Sequence, residues 1–156
     1  MKSALLIGSA LLVSALPSAA SAEPVLLISI DGLQPADILK SEERGIQVPN
    51  LKQFITNGTY AAKVKGVLPT VTYPSHATLL TGVSPAKHGI VGNNSFDPMQ
   101  INQGGWYWYA TDFKVPTLWD AAAKAGLRTA NIHWPVSVQA KAVRWNIPQI
   151  WRTGHG

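Results

Sequence analysis

A chain of 156 residues without a single cysteine can hold neither a disulfide framework nor a thiolate metal site, and its length accommodates one domain. With 46% hydrophobic and 13% charged residues it carries enough apolar mass for a core, which sets it apart from disordered chains. The formal net charge of +5 does not make it a nucleic-acid binder: every acidic residue lies at or before Asp120, and Lys124, Arg128, Lys141, Arg144 and Arg152 follow as a run that solvated surface charge explains.

The chain opens with Lys2 ahead of an apolar run over residues 4–16, then Pro17 and the small-residue pattern Ala20-Ser21-Ala22. This is the layout of a cleavable secretory signal, with cleavage expected after Ala22 and a periplasmic or secreted product covering residues 23–156. The apolar core falls short of the roughly 20 residues that span a bilayer, and Pro17 interrupts it, so no membrane span is expected after cleavage.

Residues 24–30, PVLLISI, form a continuous apolar run that predicts a strand covered on both faces, stopping at Asp31-Gly32. Val48, Leu51, Phe54 and Ile55 recur at helical spacing, with Pro49 near the start and Asn57-Gly58 as the stop. A second strand is expected within residues 59–67, and a short helix over residues 74–81, closed by Gly82. Residues 93–113 lack clear periodicity. Thr117 and Asp120 form a capping-box pair ahead of a helix that Gly126 terminates. Residues 127–134 return to strand, and beyond Pro135 no element is assigned. Strands alternating with helices predict an α/β fold with a mostly parallel sheet flanked by helices.

In such a sheet, ligands gather outside the carboxyl ends of the strands, where Asp31 is expected. Thr72 stands directly before an aromatic residue and a proline, at the predicted start of a helix whose backbone N–H groups would favour an anion. A metal ion held by a hard carboxylate oxygen can turn a threonine hydroxyl into a nucleophile, so Asp31 and Thr72 together would suit phosphoryl transfer. Taken by themselves, the same residues are equally a turn and a helix cap. The aromatic run of residues 106–109, WYWY, has two readings as well: base stacking, or anchoring of a long loop to the domain body, and the packing habits of Trp and Tyr favour the second.

Four stretches decide between these readings: LLISIDGLQPADI, VPNLKQFITNGTYA, LPTVTYPSHATLLTGVSPAKHGIVGNN and VPTLWDAAAKAGLRTANIHWPVS. In order and spacing, from about residue 24 to about residue 137, they resemble the N-terminal part of the type I phosphodiesterase/nucleotide pyrophosphatase family of the alkaline phosphatase superfamily. The resemblance implies an alkaline-phosphatase-like sheet, incomplete in this chain, and a hydrolase of phosphodiester or nucleotide pyrophosphate bonds acting on a small phosphate ester or nucleotide. It makes Asp31 a zinc ligand, and Thr72 the nucleophile and a second zinc contact, with Thr70 as the competing hydroxyl just ahead of it. It makes Asn93 the contact to a non-bridging phosphate oxygen, with Asn94 its neighbour by a one-residue slip, and it sets Tyr73 against the leaving group or nucleobase.

The chain departs from the family pattern at Ser75-His76 and at Gly92, which loosens the implication of a nucleotide substrate. The same stretch also resembles the sulfatase signature, but threonine cannot become formylglycine, and this favours phosphate over sulfate esters. Two Zn²⁺ ions are expected in the full-length enzyme. Further Asp and His ligands do not follow Asp120 in the spacing that site requires, so the chain is expected to be the N-terminal piece of a larger domain, binding zinc poorly and showing little or no turnover by itself. The competing expectations are a phosphomonoesterase or phosphonate hydrolase of the same superfamily, and a secreted non-catalytic binding protein.

Overall fold

The computed structural model describes residues 23–150, which fall into two units divided after Gly32. The expected signal sequence lies outside the described residues, as do Arg152 and His155.

In the first unit, residues 23–30 run without secondary structure into a turn at Asp31-Gly32, where Gly32 has φ of 73°. Val25 and Leu26 are exposed. The strand predicted over residues 24–30 is therefore not formed, and neither is the one predicted within residues 59–67, where Val64 is exposed. The first of these predictions rested on apolar content. Composition signals a capacity for β structure, whereas a strand exists only where a neighbour supplies its ladder of hydrogen bonds.

The second unit contains helices α1 (Pro35–Leu39), α2 (Pro49–Asn57), α3 (Thr72–Thr81), α4 (Pro85–His88) and α5 (Leu118–Lys124), followed by strands β1 (Ala130–Ile132) and β2 (Trp145–Ile147). Among the described residues the sheet is this parallel pair, in the register Ala130 to Trp145, Asn131 to Asn146 and Ile132 to Ile147. The architecture is α/β, compatible with an incomplete alkaline-phosphatase-like fold. β2 lies where no element was predicted. Its pairing is fixed by polar contacts that no hydrophobic period reveals: Asn131 Nδ2 donates to Asn146 Oδ1 at 2.7 Å, and Asn146 Nδ2 to the Ser137 carbonyl at 2.6 Å.

The helix ends follow local chemistry. α2 begins with Pro49 in its first turn and stops at Gly58, where a Cβ would come within 2.7 Å of the Phe54 carbonyl oxygen. α3 ends at Gly82 in the left-handed region, with φ of 70°, and the Gly82 N–H reaches the Thr78 carbonyl at 2.8 Å. α5 carries the predicted capping box. Thr117 N–H donates to Asp120 Oδ2 at 2.7 Å, and Asp120 N–H to Thr117 Oγ1 at 3.3 Å.

The face of α3 formed by Tyr73, Pro74, Ala77 and Leu80 is buried, at the spacing that keeps residues on one side of a helix. Tyr73 and Ala77 pack with Ile90 and Val136, while Leu80 packs with Trp119, Ala140 and Val143. Phe113 lies against both clusters. α3 is thus the shared wall of the core, and its amino end is fixed by packing on the side that carries Tyr73.

Candidate functional site

The residue preceding α3, Val71, adopts extended backbone angles but has no side-chain oxygen with which to cap the helix. The cap comes from elsewhere in the chain. Asn93 Oδ1 accepts the Tyr73 N–H at 2.9 Å, across twenty residues of sequence. Pro74 has no N–H, and the Ser75 N–H is already directed to the Val71 carbonyl at 3.2 Å. The expectation that the first turn of α3 would present a set of backbone donors to an anion is corrected here, because capping and proline take most of them.

Thr72 is half-buried at the first position of α3. Its carbonyl pairs with His76 Nδ1 at 2.8 Å, and because a carbonyl can only accept, that ring nitrogen carries the proton. The neighbouring threonine is held within its own turn, where Thr70 Oγ1 donates to the Val67 carbonyl at 3.2 Å.

The two adjacent asparagines are also distinguished by their bonds. Asn94 Nδ2 donates to the Gly104 carbonyl at 3.1 Å, closing the loop that follows it. The hydrogen bonds of Asn93 among the described residues use Oδ1 and the backbone carbonyl, the latter taking the Tyr107 N–H at 3.1 Å. The NH₂ group of Asn93 is therefore the polar end left over for a ligand.

Tyr73 is 1% exposed, with its ring centroid 5.3 Å from that of Trp106 and its hydroxyl buried without a hydrogen-bond partner. Burial pushes the phenol up to about 12. Trp108 is fully buried and lies 5.8 Å from Trp106. The aromatic run thus anchors its loop to the body of the unit, through hydrogen bonds between the Ala110 N–H and the Val138 carbonyl and between the Val138 N–H and the Trp108 carbonyl, both 2.9 Å.

His88 links α3 to the segment that follows α4. It is fully buried; its Nδ1 accepts the Ile90 N–H at 3.1 Å, and its Nε2 lies 3.1 Å from Thr78 Oγ1. Burial holds its pKa below the usual imidazole value. The available signal was its position between Pro85 and Gly89, where a helix of one turn forces the side chain inward.

Asp31 lies in the first unit, and Thr72, Tyr73 and Asn93 in the second. Among the described residues no three His, Asp or Glu side chains form a group able to hold a metal ion. A cleft of about 250 Å³ lies beside Phe113, Thr117, Asp120 and Lys141. Its walls include none of the predicted site residues, so the geometry around Asn93 is the better guide to chemistry.

The sequence model of the type I phosphodiesterase / nucleotide pyrophosphatase family matches residues 25–153, which include all four predicted site residues. The chain belongs to this family. It is similar to ectonucleotide pyrophosphatase/phosphodiesterase family member 3 of Rattus norvegicus, 30% identical over 137 residues, which cover 83% of this chain and 15% of the rat protein. It is also similar to venom phosphodiesterases of Naja atra (32% over 126 residues, 78% of this chain and 15% of the other) and Macrovipera lebetinus (30% over 132 residues, 78% and 14%). The chain thus spans about one seventh of the length of these relatives of the family.

Proposed function

We propose that this chain supplies the nucleophile and one phosphate-binding donor of a hydrolase that cleaves phosphodiester or nucleotide pyrophosphate bonds. The observation that carries the reading is the Asn93 to Tyr73 hydrogen bond, which holds an asparagine amide beside the residue that follows Thr72. The names of the relatives, pyrophosphatase/phosphodiesterase and venom phosphodiesterase, support the choice of bond.

In this reading the Thr72 oxygen attacks phosphorus as the bond to the leaving oxygen breaks, in line. The Thr72 proton leaves with the displaced group. Water then cleaves the ester between Thr72 and phosphorus, which still carries the other substituent, releasing a phosphate monoester and restoring the hydroxyl. The Asn93 NH₂ donates to a non-bridging oxygen as charge builds on it, and the positive end of the α3 dipole acts in the same direction. Tyr73, with its ring in the core, serves by fixing the helix start, and its backbone N–H is the point to which Asn93 attaches.

The described residues do not assemble the pair of zinc sites that the resemblance implies, so no step is routed through metal. Asp31 remains the proposed carboxylate ligand toward such a cation. Export is proposed from residues 1–22, and no described helix is long and apolar enough to cross a membrane.

The test is hydrolysis of bis(p-nitrophenyl) phosphate by the full-length enzyme, with an acid quench to trap protein-bound p-nitrophenyl phosphate. Thr72→Ser is expected to retain turnover and the phosphoryl adduct, and Thr72→Ala to lose both. Turnover that survives Thr72→Ala would overturn the reading.

A further inference from the structure

We propose that His88 and Thr78 form a strut that fixes Asn93 against the start of α3, which makes them positioning residues for the site; the inference rests on the reading of Thr72 and Asn93 given above. The strut begins with the orientation of one buried ring. His88 Nδ1 faces the Ile90 N–H at 3.1 Å, and a nitrogen that accepts a hydrogen bond carries no proton. The proton of the neutral ring therefore sits on Nε2, which faces Thr78 Oγ1 at 3.1 Å and has the Pro74 carbonyl of the same helix as a second acceptor. Burial disfavours the charged form and keeps the ring in this single state.

Thr78 belongs to the body of α3, whereas Ile90 lies three residues before Asn93. The imidazole thus joins the nucleophile helix to the segment that carries the asparagine. Asn93 itself grips the same helix at Tyr73. The two attachment points on α3 are five residues apart, about 7.5 Å along a helix axis. One hydrogen bond would leave the segment free to pivot, and two at that separation set both its position and its direction.

Packing fills the space between the attachment points. Ile90 is 0% exposed and sits in the cluster of Tyr73, Ala77 and Val136. On the other side, Phe113 meets the His88 ring edge at a centroid distance of 6.4 Å, and the Lys114 N–H donates to the His88 carbonyl at 3.1 Å. Few side chains can accept a bond from the backbone two residues on and donate to a hydroxyl while fully buried. Neutral histidine does both with its two nitrogens and leaves no polar atom orphaned.

The experiment uses the 156-residue chain and measures amide hydrogen exchange at Tyr73 and Ile90 in Thr78→Val and Thr78→Ser. Valine keeps the shape and removes the acceptor, and serine restores the hydroxyl. Exchange at Tyr73 is expected to rise about tenfold in Thr78→Val and to stay within about threefold of the parent in Thr78→Ser, the scale of one net hydrogen bond. Unchanged Tyr73 exchange in a folded Thr78→Val variant overturns the strut.

If Thr78→Val does not fold, the ring nitrogen shifts of His88 in the parent chain decide. A neutral ring protonated on Nε2 supports the strut, and a ring protonated on Nδ1 or charged at neutral pH overturns it. In the full-length enzyme with bis(p-nitrophenyl) phosphate, Thr78→Val is expected to lower kcat about tenfold at unchanged KM, as misplacement of a transition-state donor does. Turnover that is indifferent to Thr72→Ala would sink the hydrolase reading alone, because the exchange and ring-shift data judge the strut without it.

Discussion

Asn93 caps a helix to which it does not belong: its Oδ1 takes the Tyr73 N–H at 2.9 Å, one residue past Thr72. Under the proposed function, one side chain therefore divides its two ends between folding and chemistry. The oxygen satisfies an otherwise orphaned donor of the helix start, and the NH₂ end is left to meet an anion.

That division can be separated by mutation. Asn93→Asp keeps an oxygen on the Tyr73 N–H and adds negative charge at a helix N-terminus, so stability is expected to hold or rise by about 0.3–1 kcal/mol. The same change removes the donor and repels phosphate, and turnover is expected to fall about 100-fold or more. Asn93→Ala should lose the cap as well, at about 1 kcal/mol. Thermal melts and diester hydrolysis read the two effects independently.

Tyr73 offers a contrast within one side chain. Its ring fills the core, while its hydroxyl is buried without a partner. Tyr73→Phe is expected to stabilise the chain by about 1 kcal/mol, because it removes a polar group whose desolvation is not compensated. Tyr73→Ala is expected to cost about 3–5 kcal/mol by opening a cavity. Urea unfolding of both variants measures these changes, and a loss of stability in Tyr73→Phe would contradict the first.

His88 gives stability a definite dependence on pH. Its folded pKa lies below the ordinary imidazole value of about 6.5, chiefly through burial. The depressed pKa means that the unfolded chain binds the proton more readily. The contribution of His88 is therefore fully present above about 6.5 and is lost as pH falls through the folded value. Asp112 works in the opposite sense, since burial raises its pKa and protonation then favours the folded chain. The difference in melting temperature between the parent and His88→Gln, followed from pH 7.5 down to about 5, isolates the histidine. It is expected to shrink on acidification, and a constant difference would count against the assignment.

Trp108 is expected to matter for stability alone. It is 0% exposed and stands behind Trp106 in the loop anchor. Trp108→Ala should cost about 3–5 kcal/mol. In any Trp108 variant that still folds, KM for a nucleotide diester is expected to stay at the parent value, and a selective rise in KM would revive the stacking reading.

Elements whose signals are local were legible in the residues. The boundaries of α2, the Gly82 stop of α3 and the Thr117 and Asp120 box of α5 depend on proline, glycine and short-range hydrogen bonds, all of which the sequence spells out. Strands were read poorly for the opposite reason. The apolar run over residues 24–30 and the segment 59–67 join no strand ladder among the described residues, and β2 pairs through asparagines that carry no hydrophobic period.

The order of motifs sufficed to predict the family, and with it the candidates Asp31, Thr72, Tyr73 and Asn93, because family membership is written in residue type and spacing. That Asn94 spends its amide on the Gly104 carbonyl, and that the first turn of α3 is capped from twenty residues away, were decided only by tertiary structure. Those facts concern where hydrogen-bond donors and acceptors end once distant segments meet, and no linear pattern encodes that meeting. The partner of each polar atom is settled by packing, and packing is a property of the whole unit.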